Sequence, residues 1–193
     1  MRISLTSGFV VRKGEKQREA RIFSEDGKEV AELRGDGAEP AYRLTRKDDN
    51  REWLLSNKIG SEHRRFSFSL TDAKEAPSDG PQLTILDNIF RHNGKFYMFA
   101  NHPSGKSWRD YVANKVRYIS RLDNFPYSGL AEMAKARHDQ DLRHKLKRFR
   151  GIPVGEAYGL GATQEGHHVR VNDELDDIGL FLAATSYLMY ASA

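Results

Sequence analysis

The sequence predicts an α+β fold: an antiparallel, β-barrel-like meander that encloses a hydrophobic C-terminal helix, with two amphipathic helices inserted late in the chain. Three observations support this fold class. Short strand patterns separated by turn residues fill the first hundred residues, helical periodicity begins after Ser107, and the chain ends in LDDIGLFLAATSYLMYASA, residues 175–193. A helix that is apolar on every side has to bury its whole surface, and a strand-rich first half can cover it.

The composition is that of a globular protein with a heavily charged surface. Of 193 residues, 38% are hydrophobic and 30% are charged, which favours a folded chain over a disordered one. A chain of this length can bury a substantial core without disulfides, so we expect one domain over residues 1–193. The absence of cysteine excludes thiolate nucleophiles and cysteine zinc sites. The opening MRISLTSGFVVRKG has too short an apolar stretch for a signal peptide, which predicts a cytoplasmic protein.

Residues 1–100 are predicted to be mainly strands. ISLTSGFVV and EARIFS come first, and EVAELR follows the turn EDGK. AYRLTRK, EWLLSN and RRFSFSLT continue the pattern, and Phe66 and Phe68 alternate with serines as in a half-buried strand. Asn93-Gly94 lies between apolar residues and predicts a two-residue hairpin, because both turn positions tolerate positive φ. Together these segments predict an antiparallel meander.

The second half is predicted to begin with a helical insertion over residues 107–149. Ser107 is a suitable cap for a helix over 108–122, where apolar residues recur at helical spacing: Trp108, Tyr111, Val112, Val116, Ile119 and Leu122. A second helix is predicted over 129–148. IPVGEAYGLG and HHVRV then predict strands within 152–171.

The terminal helix is predicted to be a buried core helix and not a membrane anchor. The sixteen residues from Ile178 to Ala193 would reach about 24 Å as a helix, short of the roughly 30 Å hydrocarbon core of a bilayer. Asp176 and Asp177 suit its start as a cap and as favourable charge at the positive end of the helix dipole.

Three segments carry a family resemblance: the opening FVVRKGEKQREARIFSEDGKEVAELRG, the late strand HHVRV and the run NDELDDIGLFLAATSYLMY. In these the chain resembles the tubby C-terminal-like superfamily, which includes the LURP-one-related and scramblase-like proteins. There an antiparallel barrel closes around a hydrophobic C-terminal helix, and members are associated with phosphoinositides, phospholipids or membrane surfaces. The resemblance implies a single tubby-like domain and binding rather than catalysis. The helical insertion departs from the simple barrel pattern.

The loop ANHPSGKS, residues 100–107, fits a relaxed phosphate-loop pattern, with Gly105, Lys106 and Ser107 as candidate anion-binding residues. Lys106 would contact terminal phosphates and Ser107 a magnesium ion if the protein were a nucleotide-dependent enzyme. Such an enzyme needs alternating strands and helices that build a parallel sheet, and too few follow the loop. A turn that caps a helix, or an anion-binding loop without hydrolysis, remains the alternative.

The most basic segment lies between Lys135 and Arg150 and supplies the other candidate anion-binding residues: Arg143, Lys145, Lys147, Arg148 and Arg150. A basic face above a short apolar stripe suits anionic phospholipid headgroups, another phosphorylated ligand or nucleic acid. A solvated charged face is the alternative. The expected location is therefore cytoplasmic, extending to the periphery of a membrane.

No residue pattern predicts a catalytic centre, a metal site or a cofactor. The seven histidines have no ligand spacing, and His167 and His168 should point to opposite faces of a strand. The acidic group before the terminal helix lacks the ligand pattern of a calcium loop. The leading hypothesis is a non-enzymatic protein that binds anionic phospholipid headgroups or another phosphorylated ligand, with no oligomeric state predicted.

Overall fold

The computed structural model describes residues 4–15, 18–35, 41–56, 68–74, 83–86, 88–100, 117–123, 125–132, 151–158 and 166–190. Twelve described strands form a closed antiparallel barrel in which each strand pairs with its neighbours in the chain and the first pairs with the last. The strands are β1 (Ser7–Lys13), β2 (Glu19–Ser24), β3 (Glu29–Gly35), β4 (Ala41–Arg46), β5 (Glu52–Ser56), β6 (Phe68–Asp72), β7 (Leu83–Leu86), β8 (Ile89–His92), β9 (Lys95–Ala100), β10 (Arg117–Leu122), β11 (Ile152–Tyr158) and β12 (His167–Val171).

A 3₁₀ helix (Asp173–Ile178) and then an α-helix, α1 (Gly179–Tyr190), follow the last strand. Asn172 caps the 3₁₀ helix, and its side chain accepts a hydrogen bond from the backbone N–H of Glu174. The predicted terminal helix is therefore present, but its first turns are 3₁₀. None of the helices that the structure describes has the length and apolar character needed to cross a bilayer.

The helix α1 occupies the interior of the barrel. Eight consecutive residues, Leu182–Met189, are buried, and because eight residues make more than two turns, every side of the helix is covered. The main core joins these helix residues to inward-facing residues of all twelve strands. From β5, Trp53 packs edge-on against Phe181 with the ring centroids 5.0 Å apart. The predicted barrel around a hydrophobic C-terminal helix is confirmed.

The turns of the meander follow from residues that accept positive φ. Asn93 and Gly94 have φ of 47° and 76°, so the predicted two-residue hairpin between β8 and β9 is confirmed. Gly27 in the EDGK turn has φ of 83° and joins β2 to β3.

The helix predicted over 108–122 is wrong at its C-terminal end, because residues 117–122 form β10 between β9 and β11. The strand lacks simple alternation since both of its faces are covered. Ile119 lies in the main core, whereas Leu122 belongs to a second cluster with Leu86, Ile89 and Phe96, packed beneath Phe125, Tyr127 and Leu130. The helical insertion at 107–149 is thus interrupted by a barrel strand.

Other parts of the predicted insertion are described only in small part. Residues 130–132, within the second predicted helix over 129–148, are helical. Residues 108–116 and 133–148 lie outside the described residues.

The acidic 3₁₀ helix closes one end of the barrel, which we call the base; the opposite end is the top. Glu174 receives three side chains that point inward from β9 and β10: Arg121 Nη1 at 2.6 Å, Tyr97 Oη at 3.2 Å and Lys95 Nζ at 3.4 Å from its carboxylate. His92 Nε2 lies 3.0 Å from a carboxylate oxygen of Asp177. Burial and the neighbouring Glu174 carboxylate raise the pKa of Tyr97 to about 12, so its hydroxyl remains a hydrogen-bond donor at neutral pH.

Candidate anion-binding face

The eight residues named as anion-binding from the sequence all lie outside the described residues: Gly105, Lys106, Ser107, Arg143, Lys145, Lys147, Arg148 and Arg150. The described strands still fix where their segments join the barrel. Since β9 runs from base to top and β10 returns, the connection with Lys106 joins strands at the top. The connection with Arg143 leaves β10 and enters β11 at the base. These two sets of candidates therefore belong to connections at opposite ends.

The strand after the ANHPSGKS loop also bears on the nucleotide hypothesis. A phosphate-loop enzyme needs a parallel sheet whose loop leads from a strand into a helix. Here β9 and β10, which flank the loop, pair with each other in an antiparallel barrel. The barrel therefore offers no structural support for hydrolysis at Lys106 and Ser107.

One serine–histidine contact lies inside the barrel. His167 Nε2 of β12 is 2.8 Å from Ser186 Oγ of α1, a distance suited to a nucleophile and its base. His167 is 1% exposed and Ser186 is fully buried, so a substrate cannot reach either side chain in this closed barrel. Burial, with a smaller effect of the neighbouring His168, lowers the pKa of His167 to about 4. The contact joins helix to wall and is not an active site.

The described residues contain no candidate metal centre. Among the residues that the structure describes, no group of three or more histidine, aspartate or glutamate side chains could hold a metal ion.

Two arginines lie directly opposite each other on the outer face of the barrel. Val11 and Ile22 point into the core, so their neighbours Arg12 and Arg21 point outward, and Arg12 of β1 pairs with Arg21 of β2 in the register. Like charges directly opposite on neighbouring strands repel. The side chain of Arg21 is 55% exposed, and its contact with Glu29 is long at 3.9 Å. We call the surface formed by Val10, Arg12, Arg21, Phe23 and His168 the cationic face.

Arg91 lies over the ring of Phe96 and has no ion pair in the described ranges, and Arg12 has a similar arrangement. The Arg12 guanidinium lies over the ring of Phe23, 5.1 Å from the centroid, and makes no ion pair with any residue in the described ranges. Other arginines around the outside of the barrel have close carboxylates: Arg34 with Glu32 at 2.6 Å, Arg170 with Glu25 at 2.7 Å and Arg43 with Glu52 at 3.0 Å. On the cationic face, therefore, the described residues give Arg12 no carboxylate partner and Arg21 only a long contact.

The chain was compared with protein-family models, curated proteins and solved structures, and no match was found in any of the three comparisons.

The residues of the cationic face were missed from the sequence because single residues of a strand do not reveal their cross-strand neighbours. Arg12 and Arg21 belong to FVVRKGEKQREARIFS, where both lie next to core positions. Their outward direction could have been inferred from the alternation around Val11 and Ile22. Their direct opposition depends on the register of the hairpin, which the long connection between the strands leaves undetermined.

Proposed function

We propose that this protein is a non-enzymatic binding protein of the tubby-like type that recognises anionic phospholipid headgroups through the cationic face. The observation that carries the proposal is the Arg12–Arg21 pair, two arginines at directly opposed strand positions, of which Arg12 has no carboxylate partner in the described ranges. A closed antiparallel barrel around a buried C-terminal helix supports the architectural half of the proposal.

Arginine is suited to this role because its planar guanidinium donates two parallel hydrogen bonds to a phosphate group. An anionic ligand would also relieve the repulsion between Arg12 and Arg21. Because the free protein already carries this unfavourable free energy, its release favours binding. Both side chains are exposed on a broad sheet surface, which a membrane interface can approach without a deep cleft. A basic residue close to an anionic membrane contributes about 1 kcal/mol.

Vesicle co-sedimentation tests the proposal. Phosphatidylcholine vesicles with and without phosphatidylserine or a phosphoinositide are compared at low and high salt. We expect binding to require the anionic lipid and to weaken with salt. Arg12→Ala combined with Arg21→Ala should lower affinity about 30-fold, from roughly 1 kcal/mol for each arginine.

The matched control removes two other exposed cations, Lys28→Ala with Lys74→Ala, which lie at the base and have no ion pair in the described ranges. This double variant has the same net charge as the arginine double variant and should keep most of the wild-type affinity. Equal losses in both double variants would show that only net charge matters. Binding that does not depend on anionic lipid would contradict the proposed function.

A further inference from the structure

Four side chains form a row across the outside of the barrel, on neighbouring strands. Tyr158 of β11 pairs with His168 of β12, His168 pairs with Val10 of β1, and Val10 pairs with Phe23 of β2. Valine is the shortest of the four. The imidazole of His168 and the ring of Phe23 are therefore separated by two strand spacings, about 10 Å, with only Val10 between them as a floor.

An aromatic ring packs against a cationic or imidazole group on each side of this gap. His168 stacks on Tyr158 with centroids 4.7 Å apart and planes at 4°, and the Arg12 guanidinium lies over Phe23. Stacking engages the flat faces of an imidazole or a guanidinium and leaves the N–H groups at their edges free to donate. His168 forms no hydrogen bond or ion pair with any described residue.

Gly166, just before β12, makes room for the arginine. Its φ of 94° favours glycine, and a Cβ there would lie 3.1 Å from Cγ of Arg12 and 3.2 Å from Cγ1 of Val10. A side chain at this position would therefore press on both the floor and one wall of the gap. A Cβ would also lie 2.8 Å from the carbonyl oxygen of Val11, so the positive φ and the nearby backbone of β1 both favour glycine at this position.

We propose that Arg12 and His168 form a seat for a single phosphate group above Val10, with Arg21 adjacent. Positions that are diagonal on neighbouring antiparallel strands, as Arg12 and His168 are, lie about 7–8 Å apart. Because this separation is between backbone positions, both side chains can extend toward a phosphate group above Val10 and donate hydrogen bonds of about 2.8 Å to its oxygens. This proposal rests on the proposed function. It identifies the phosphate group as the part of the ligand that the cationic face recognises.

The nearby charged groups do not neutralise the positive charge of Arg12 at the seat. Arg170, two residues from His168 on the same face, is 2.7 Å from Glu25 and 3.8 Å from Glu156. The Glu25 side chain lies over Gly8, where a Cβ would be only 2.6 Å from its Cγ, on the side of Val10 away from Arg12. Arg170 balances one of these two carboxylates, and both lie in the register row of Gly8, on the side of Val10 away from Arg12, so Arg12 remains the cation next to the seat.

The seat is tested with two soluble probes, inorganic phosphate and glycerol 3-phosphate, followed by ¹H–¹⁵N NMR of the full chain. Amide shifts should map to the residues around Val10, Arg12 and His168. Val10→Phe fills the gap without changing any charge and should weaken glycerol 3-phosphate binding about tenfold, as should His168→Ala, which removes one donor to the anion. Val10→Thr keeps the β-branched shape of valine and leaves the gap open, and its hydroxyl can only add a donor, so its affinity should fall by no more than about twofold.

Only variants with the wild-type unfolding midpoint are compared. If Val10→Phe lowers that midpoint, Val10→Leu replaces it; we call whichever is used the filled variant. Equal affinity of the Val10→Phe or Val10→Leu variant and the Val10→Thr variant would overturn the seat. So would phosphate-induced shifts confined to residues far from β1 and β12. Loss of binding by the filled variant supports it.

Vesicle co-sedimentation of the same variants separates the two sources of phosphate. If the filled variant loses both glycerol 3-phosphate and anionic vesicles, the seat holds a lipid headgroup. If it loses only the soluble probe, the seat takes a soluble phosphorylated ligand. If wild-type protein binds glycerol 3-phosphate but shows no dependence on anionic lipid, the proposed function fails while the seat stands.

Discussion

His167 and His168 are adjacent in the chain, yet the barrel wall separates them. His167 points inward, is 1% exposed and contacts Ser186 of the central helix at 2.8 Å. His168 points outward, is half-buried and stacks on Tyr158. The two-residue period of a strand produces this difference, as the sequence predicted. Inside, an imidazole has to find a partner within the protein, whereas outside it remains available to a ligand.

The comparison implies that changes inside the barrel affect stability and changes outside affect binding. Buried polar groups stabilise only when they are paired. The interior offers His167 Nε2 the Ser186 hydroxyl, while Nδ1 has no hydrogen-bond partner among the described residues. On the outer face, Arg12 and His168 donate no hydrogen bond to any described residue, so their N–H groups are available to a ligand.

The largest expected effect comes from removing the interior helix. Deletion of residues 178–193 should unfold the domain, because the inward-facing residues of all twelve strands would lose the surface they pack against. Circular dichroism and NMR dispersion measure the outcome. A truncated chain that retains a cooperative unfolding transition would show that the barrel is stable without its core helix.

Acid should destabilise the protein through His167. Its pKa is about 4 in the folded protein, against 6.5 for an unperturbed histidine, so the unfolded chain takes up a proton first as pH falls. Stability is unaffected by this group above about pH 6.5, declines between pH 6.5 and 4, and loses about 3 kcal/mol in total. Denaturant unfolding of wild type and His167→Gln between pH 7 and 4.5 isolates the effect, because other titrating groups are common to both.

His168 supplies the control for that measurement. A His168→Gln variant should keep the wild-type loss of stability between pH 7 and 4.5, since it retains His167. If His167→Gln shows the same pH dependence as wild type, the loss does not come from the buried histidine.

A smaller loss is expected from Ser186→Ala. The variant leaves His167 Nε2 buried without its partner, which should lower the free energy of unfolding by about 1–3 kcal/mol. Thr185→Ser is a comparison one residue away, because that hydroxyl bonds back to the carbonyl of Phe181 at 2.8 Å within the helix. Chemical denaturation measures both. A Ser186→Ala variant as stable as wild type would mean that the contact between helix and wall carries no net stability.

The smallest change in stability is expected outside the barrel. Arg12→Ala and His168→Ala should each stay within about 0.5 kcal/mol of wild type, as for most surface substitutions. Their thermal midpoints should match that of wild type, although binding of glycerol 3-phosphate falls. A large loss of stability in either variant would remove the distinction between interior and outer face.

The sequence alone was sufficient for the barrel class, for most strands of the first half and for the burial of the terminal helix. It was insufficient for residues 117–122, which follow a helical pattern but form β10. Ile119 faces the main core and Leu122 faces the second cluster, so the strand is apolar on both faces and lacks the alternation that marks a strand exposed on one side.

The cationic face is the part of the candidate site that the sequence could not reveal. Charge runs are visible in a sequence, which is why the segment from Lys135 to Arg150 was selected, whereas Arg12 and His168 are isolated residues in separate strands. Their proximity follows from the pairing of β1 with β12, the contact that closes the barrel.

By itself the sequence indicated that a strand-rich chain wraps an all-round apolar helix, because a helix that is apolar on every side has to bury its whole surface. Only the tertiary structure decided which side chains became neighbours on the outside. Hydrophobicity is a property of each residue and its near neighbours in the chain, whereas register joins residues from opposite ends of it. That register placed an arginine from the first strand beside a histidine from the last.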